Sequence, residues 1–307
     1  MADTTQDQTR AGAGPLEGIF WMVLSGLSFV AVNGTVHLLG TALPAAESAF
    51  IRFLYGLAFL APTLVRSLGQ GLPGGALVLV GIRGALHTLA VILWFYAMAR
   101  IPVADVTAIG YLSPIVVTAG AAILLGERLA ARRLAAIAVA LVGGLIVLRP
   151  GLRELQAGHL AQVGAAIAFG LSYVLAKRLA PLLSPVALVA LLSLSVTLGL
   201  APFALIDWVA PSAGQLVLLG IVAAFATAGH YFMARAFAAA PVSVTQPVIF
   251  LQLVWATLLG WLAFGEPVDP FVILGGSVII AAISYMSWRE ARIARTGTTP
   301  PPDAGKL

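Results

Sequence analysis

The sequence predicts an all-α integral membrane protein in which ten transmembrane helices form two inverted five-helix repeats. Three observations predict it. The composition is 60% hydrophobic and only 9% charged over 307 residues. Apolar runs of bilayer-crossing length follow one another with short polar breaks, and the two halves of the chain match. A mean hydropathy of +1.01 excludes a pair of soluble domains, in which about a quarter of residues are charged. A spanning helix takes about 20 residues, so ten occupy about two thirds of the chain and leave no room for a sizeable extramembrane domain.

In lipid every backbone amide must be paired within its own helix or in a closed barrel. No alternating barrel pattern is present, so each run reads as a helix. The first, 18–39, follows a polar tail (1–17) whose single cation, Arg10, does not make the basic leader of a secretory signal, so the run is expected to be retained. The second, 47–66, opens on Glu47 and carries Arg52; the third, 76–99, carries Arg83, His87 and Trp94. The fourth, 103–125, follows Pro102, which suits a helix start because its missing N–H costs nothing there. It ends at Gly126-Glu127, and the fifth, 132–149, opens on Arg132-Arg133. A linker (150–158) leads to the sixth run, 159–178, with Ser172 and Tyr173, and to the seventh, 185–207. His230 lies in the eighth, 215–238. Gln246, Phe250 and Gln252 lie in the ninth, 242–264, between Pro241 and Gly265-Glu266. The tenth, 270–288, precedes a Pro-rich tail (289–307) expected to be disordered.

Orientation follows from the cations. With the first residue inside, 12 of the 17 Lys and Arg fall on the side of the termini and three on the other, with Arg52 and Arg83 inside runs. Both termini are therefore expected in the cytoplasm. The net charge of +5 is scattered in ones and twos between apolar runs, which sets topology rather than binding nucleic acid. With no cysteine there is no disulfide, thiolate nucleophile or Cys-ligated metal.

The repeat spans most of the chain. SGLSFVAVN (25–33) matches FGLSYVLAK (169–177), and LVGI (79–82) matches LLGI (218–221). From there the third and eighth runs continue without gaps to Pro102 and Pro241, and on to Gly126-Glu127 and Gly265-Glu266. The repeats cover 18–149 and 159–288. Five spans per repeat is an odd number, so the second repeat must enter the bilayer from the opposite side. Inverted repeats place a solute site near mid-membrane at their interface.

On these residues, with Arg52 in the second helix, the chain resembles the drug/metabolite transporter superfamily, specifically ten-helix EamA-domain exporters of the YddG type. The resemblance covers about residues 18–288 and implies a bacterial inner-membrane exporter of amino acids and related metabolites. It also implies a central cavity lined mainly by the first, third, fourth, sixth, eighth and ninth helices.

The residues themselves supply candidates. His87 and His230 lie at mid-depth in equivalent helices, since His87 shifted by 139 positions falls four residues before His230, on the same helical face. Trp94 shares the stripe of His87, and Tyr111 and Phe250 are equivalent in the fourth and ninth runs. The expected substrate-binding set is His87, Trp94, Tyr111, Ser172, Tyr173, His230, Gln246 and Phe250. Arg52 and Arg83, each within about two turns of a helix end, are expected to snorkel to the interface, which favours a neutral or zwitterionic solute. No acidic residue lies deep in a run, which disfavours carboxylate-coupled exchange of cations. The expectation is thus a monomeric carrier of a small-molecule substrate in the lipid bilayer, working by alternating access without nucleic acid, cofactor or metal. The alternatives are a carrier of another metabolite or drug in the same superfamily, and a membrane enzyme or sensor. Neither H-E-x-x-H nor G-x-S-x-G occurs, and the short Pro-rich tail after the tenth run is not expected to act as a signalling domain.

Overall fold

The computed structural model describes residues 15–69, 74–125, 131–152, 154–179, 181–183, 185–239, 245 and 248–297. Gly126, Glu127, Pro241 and Gln246 lie outside the described residues. Among the described residues the helices with defined bounds are α1 (Pro15–Leu39), α2 (Ala45–Gly69), α3 (Ala76–Met98), α4 (Val103–Gly110), α5 (Ser113–Leu125), α6 (Ala131–Leu148), α7 (Ala157–Leu179), α8 (Pro185–Ile206), α9 (Ala213–Ala239), α10 (Leu251–Phe264) and α11 (Pro270–Gly297). Six spans in the described residues are long and apolar enough to cross a membrane, within α1, α3, α4 to α5, α7, α8 and α9; α6, α10 and α11 contain shorter apolar stretches.

The fourth run is one apolar stretch in the sequence but two helices in space. Pro114 has no N–H to give to the Gly110 carbonyl and its ring crowds that carbonyl, and the ladder tightens through Tyr111 N–H to Ala108 O (3.3 Å) and Leu112 N–H to Ile109 O (3.0 Å) before α5 resumes. The ninth run also has a turn, at Phe250, the residue the repeat makes equivalent to Tyr111, and α10 starts just beyond it. Pro102 is the N-cap of α4. Gly265 closes α10 at φ 66°, a conformation that costs a glycine nothing.

The main helix pairs are α1 with α9, α3 with α7, α2 with α8 and α6 with α11. With lipid on the outside there is no hydrophobic drive between helices, so close approach of backbones carries the packing. At the α6–α11 crossing a Cβ on Gly143 would meet the Gly275 carbonyl at 2.8 Å, and at α1–α9 one on Gly229 would press on Phe29 and Ser28 at 3.2–3.3 Å. The outward surface is apolar: Leu141, Val142 and Leu145 on α6, and Leu205 and Ile206 on α8, are all more than half exposed. Trp208, Trp261 and Trp288, near helix ends, are 44–54% exposed, where indole rings anchor at headgroup depth.

Candidate functional site: a polar chamber between the helices

One wall is built by α3 and α7. Phe169, Ser172 and Tyr173 are at i, i+3 and i+4 and so share a face of α7. His87 Nδ1 lies 3.1 Å from Ser172 Oγ, and both residues are buried. Phe169 is the hub of the aromatic surface: its ring meets His87 edge-on at 4.9 Å and Trp94 at 5.8 Å, and stacks on Tyr173 at 6.1 Å. Phe169 was legible as one of the repeated FGLSY residues, but nothing in the sequence distinguished it from a packing aromatic.

The opposite wall comes from α1 and α9. His230 Nδ1 donates to Ala226 O at 2.7 Å, and the ring meets Phe29 at 5.1 Å. With Nδ1 as donor, the neutral imidazole keeps Nε2 as a free acceptor. Ser25 Oγ ties the two helices by donating to Gly229 O at 2.9 Å.

Tyr173, beside the buried His87, is 45% exposed, and His230 is exposed as well. The region between the two walls is the candidate chamber.

Arg83 turns into the bundle, contrary to the expectation that it snorkels outward. Arg83 is 8% exposed, with one guanidinium nitrogen donating to Leu188 O at 3.2 Å and Nε unpartnered. Arg52 is half-buried, with its guanidinium 4.2 Å from the Phe53 ring centroid. Its charge reaches both His87 and His230, and that of Arg83 reaches His87 and Tyr173. A helix-end position along the sequence does not reveal which face a side chain takes, and for Arg83 the inward face won.

The remaining predicted site residues divide. Trp94 is half-buried against Phe95 and Phe169. Tyr111 and Phe250 are buried against each other: their rings meet edge-on at 5.2 Å, and the Tyr111 hydroxyl donates to Phe250 O at 3.3 Å. The two helix breaks are therefore pinned together. In the ninth run Gln252 comes up against Gly26 of α1.

A second polar cluster closes the end of the bundle where α1, α3, α6 and α10 finish. His37 Nδ1 donates to Met98 O (2.8 Å), and its Nε2 faces Glu266 Oε1 at 3.3 Å. Both Glu266 oxygens accept from Val103 N–H, at 3.3 and 3.1 Å. Glu266 thus caps α4, 163 residues away in the chain. Burial raises its ionisation above the ordinary carboxylate value, with the Val103 bond and His37 opposing. His159 accepts from Gln156 N–H at Nδ1 (3.2 Å), so its proton is on Nε2 and is donated to Asp105 at 3.0 Å. Arg149 pairs with Asp269, and Glu47, fully buried, accepts from Val209 N–H at 3.0 Å. An open cleft lined by Pro102, Asp105, Thr257, Glu266 and Asp269 lies at this end, apart from the chamber.

Among the described residues no three His, Asp or Glu side chains gather to hold a metal. The arrangement positions a solute by aromatic faces, imidazoles and guanidinium charge.

An apolar helical shell around a polar, aromatic chamber defines a membrane carrier of small molecules. The chain belongs to the EamA-like transporter family, whose model matches it twice, over residues 16–149 and 156–288. It is similar to a riboflavin transporter of Vibrio cholerae, with 29% identity over 92% of this chain and 96% of that one. It is also similar to a pseudopaline exporter of Pseudomonas aeruginosa, with 28% identity over 88% of this chain and 95% of that one. A solved crystal structure shares its fold at a TM-score of 0.57, with 19% identity over 91% of this chain and 97% of the other. The chain is therefore a membrane transporter of small metabolites, and the enzyme reading falls away.

Proposed function

We propose that the chain exports amino acids, aromatic or hydrophobic ones among them, across the bacterial inner membrane by alternating access, as a monomer with both termini in the cytoplasm. The carrying observation is the chamber between α3–α7 and α1–α9, where Phe169, Trp94 and Tyr173 offer ring faces beside the polar atoms of His87, Ser172 and His230. Aromatic walls with few oriented polar groups suit a small solute with an apolar side chain. Tyr111, Gln246 and Phe250 complete the proposed set, with Tyr111 and Phe250 shaping the helix breaks behind the wall.

Two inverted five-helix repeats, 18–149 and 159–288, supply the moving parts, with 1–17 and 289–307 as cytoplasmic tails. The helix pairing supports this: exchanging the halves turns α1 on α9 into α7 on α3, and maps α2 on α8 and α6 on α11 onto themselves. Turns at the equivalent residues Tyr111 and Phe250 support it too, since interrupted helices at corresponding positions accompany mid-membrane sites. Rocking between two such arrangements needs only a few kcal/mol of differential stability.

The aromatic hub also favours a second reading, a planar metabolite of the kind carried by the riboflavin relatives. Efflux from liposomes loaded with labelled amino acids and with riboflavin separates the two. Tryptophan or phenylalanine efflux above that of protein-free vesicles supports the first reading; riboflavin flux alone supports the second. Flux of neither overturns both.

A further inference from the structure

We infer that the chamber selects solutes bearing a carboxylate and holds that group with Arg52, assisted by Arg83. The inference rests on reading the chamber as the solute site and adds to it the chemical class of the solute. Arg83 is buried and Arg52 half-buried, and among the described residues neither is paired with a carboxylate. Arg83 spends one nitrogen on the Leu188 carbonyl, a neutral partner, and leaves Nε with none. Arg52 has only the face of Phe53. The other titratable groups within reach, His87, His230 and Tyr173, bring no negative charge as neutral side chains.

Desolvated cations inside a membrane bundle are costly and persist where they pair with something or mark a substrate path. The chain supplies acids readily elsewhere: Asp105, Glu266 and Asp269 each face a basic side chain at the bundle end. Among the described residues no such partner faces Arg52, which lies near enough to both imidazoles to disfavour their charged forms. A solute carboxylate meeting Arg52 makes charge-assisted hydrogen bonds that an amide or ester cannot equal. The ring faces of Phe169 and Tyr173 take the rest of the molecule.

The test reads the arginines directly and does not depend on flux. The purified full chain in detergent is treated with phenylglyoxal, and modification of each arginine is followed by peptide mass spectrometry, with benzoate, benzamide or inorganic phosphate as protectants. The expected result is modification of Arg52 that benzoate slows at least fivefold and benzamide does not, while exposed Arg235 reacts alike in all cases. Benzamide protecting as well as benzoate, or absence of reaction at Arg52, overturns the inference. Phosphate protecting better than benzoate overturns the carboxylate assignment.

A transport arm separates this inference from the reading beneath it. If phenylalanine is carried, Arg52→Gln is expected to raise its half-saturating concentration at least tenfold, with Arg52→Lys recovering part of the loss. Unchanged concentration dependence in Arg52→Gln overturns the anchor while leaving the exporter intact. Absence of flux together with benzoate protection removes the amino-acid reading and leaves the carboxylate site standing.

Discussion

The polar cluster at the bundle end and the candidate chamber are both polar regions of an apolar bundle, and they treat charge in opposite ways. At the cluster, Asp105 faces His159, Glu266 faces His37 and the Val103 N–H, and Arg149 faces Asp269. Each of these contacts joins a residue before position 150 to one after 155. In the candidate chamber, no carboxylate among the described residues pairs with Arg52 or Arg83, whose partners are the Phe53 ring and the Leu188 carbonyl. Internal pairing fastens the two halves to each other, whereas unmatched charge leaves capacity for something that arrives and departs. A carrier needs both, because the ties must define a closed end while the site must not be satisfied without its cargo.

The largest expected effect breaks the fastened side. Asp105→Ala strands the buried Nε2–H of His159 and is expected to cost about 3 kcal/mol, read as a lower thermal unfolding midpoint in detergent. Arg52→Gln, on the unfastened side, is expected to leave that midpoint unchanged or higher, because it removes a half-buried charge that no carboxylate among the described residues offsets. Equal destabilisation by both changes would erase the distinction between the two regions.

A smaller effect is expected at the chamber wall. Ser172→Ala removes the partner of His87 and is expected to weaken apparent solute affinity about fivefold, or about 1 kcal/mol, without altering insertion. It is measured by concentration-dependent efflux in liposomes.

The smallest concerns Glu266 and pH. Because the fold raises this carboxyl above its ordinary value of 4.5, folding favours the protonated form. Its contribution is complete below pH 4.5 and is lost as pH climbs through the raised value. Glu266→Gln, always neutral, is expected to flatten that pH dependence and to change stability at low pH by less than about 1 kcal/mol. Unfolding midpoints from pH 4 to 8 check it.

The helices were legible because apolar length and the cost of unpaired amides in lipid leave few alternatives. Pro102 and Gly265 were legible because a missing donor and a left-handed φ each belong at a helix terminus. The inward turn of Arg83 was not, since depth along a helix carries no information about its azimuth against neighbours far away in the chain. The same limit hid the reach of Glu266 to Val103. His87 and His230 were found by depth and repeat register, while Phe169 needed the packing of α3 on α7 to emerge as the hub. The break between α4 and α5 was foreshadowed by Gly110 and Pro114 but was masked by unbroken hydropathy.

The central claim is that water reaches Tyr173 inside the bundle. The chain has no native cysteine, so a single Tyr173→Cys variant in liposomes can be exposed to a membrane-impermeant, negatively charged thiol reagent. Val142→Cys is the control, on the lipid-facing surface of α6 and 53% exposed. The account predicts rapid labelling at position 173, slowed by transported solute, and none at 142. An unreactive Tyr173→Cys, in a variant that still transports, would contradict it.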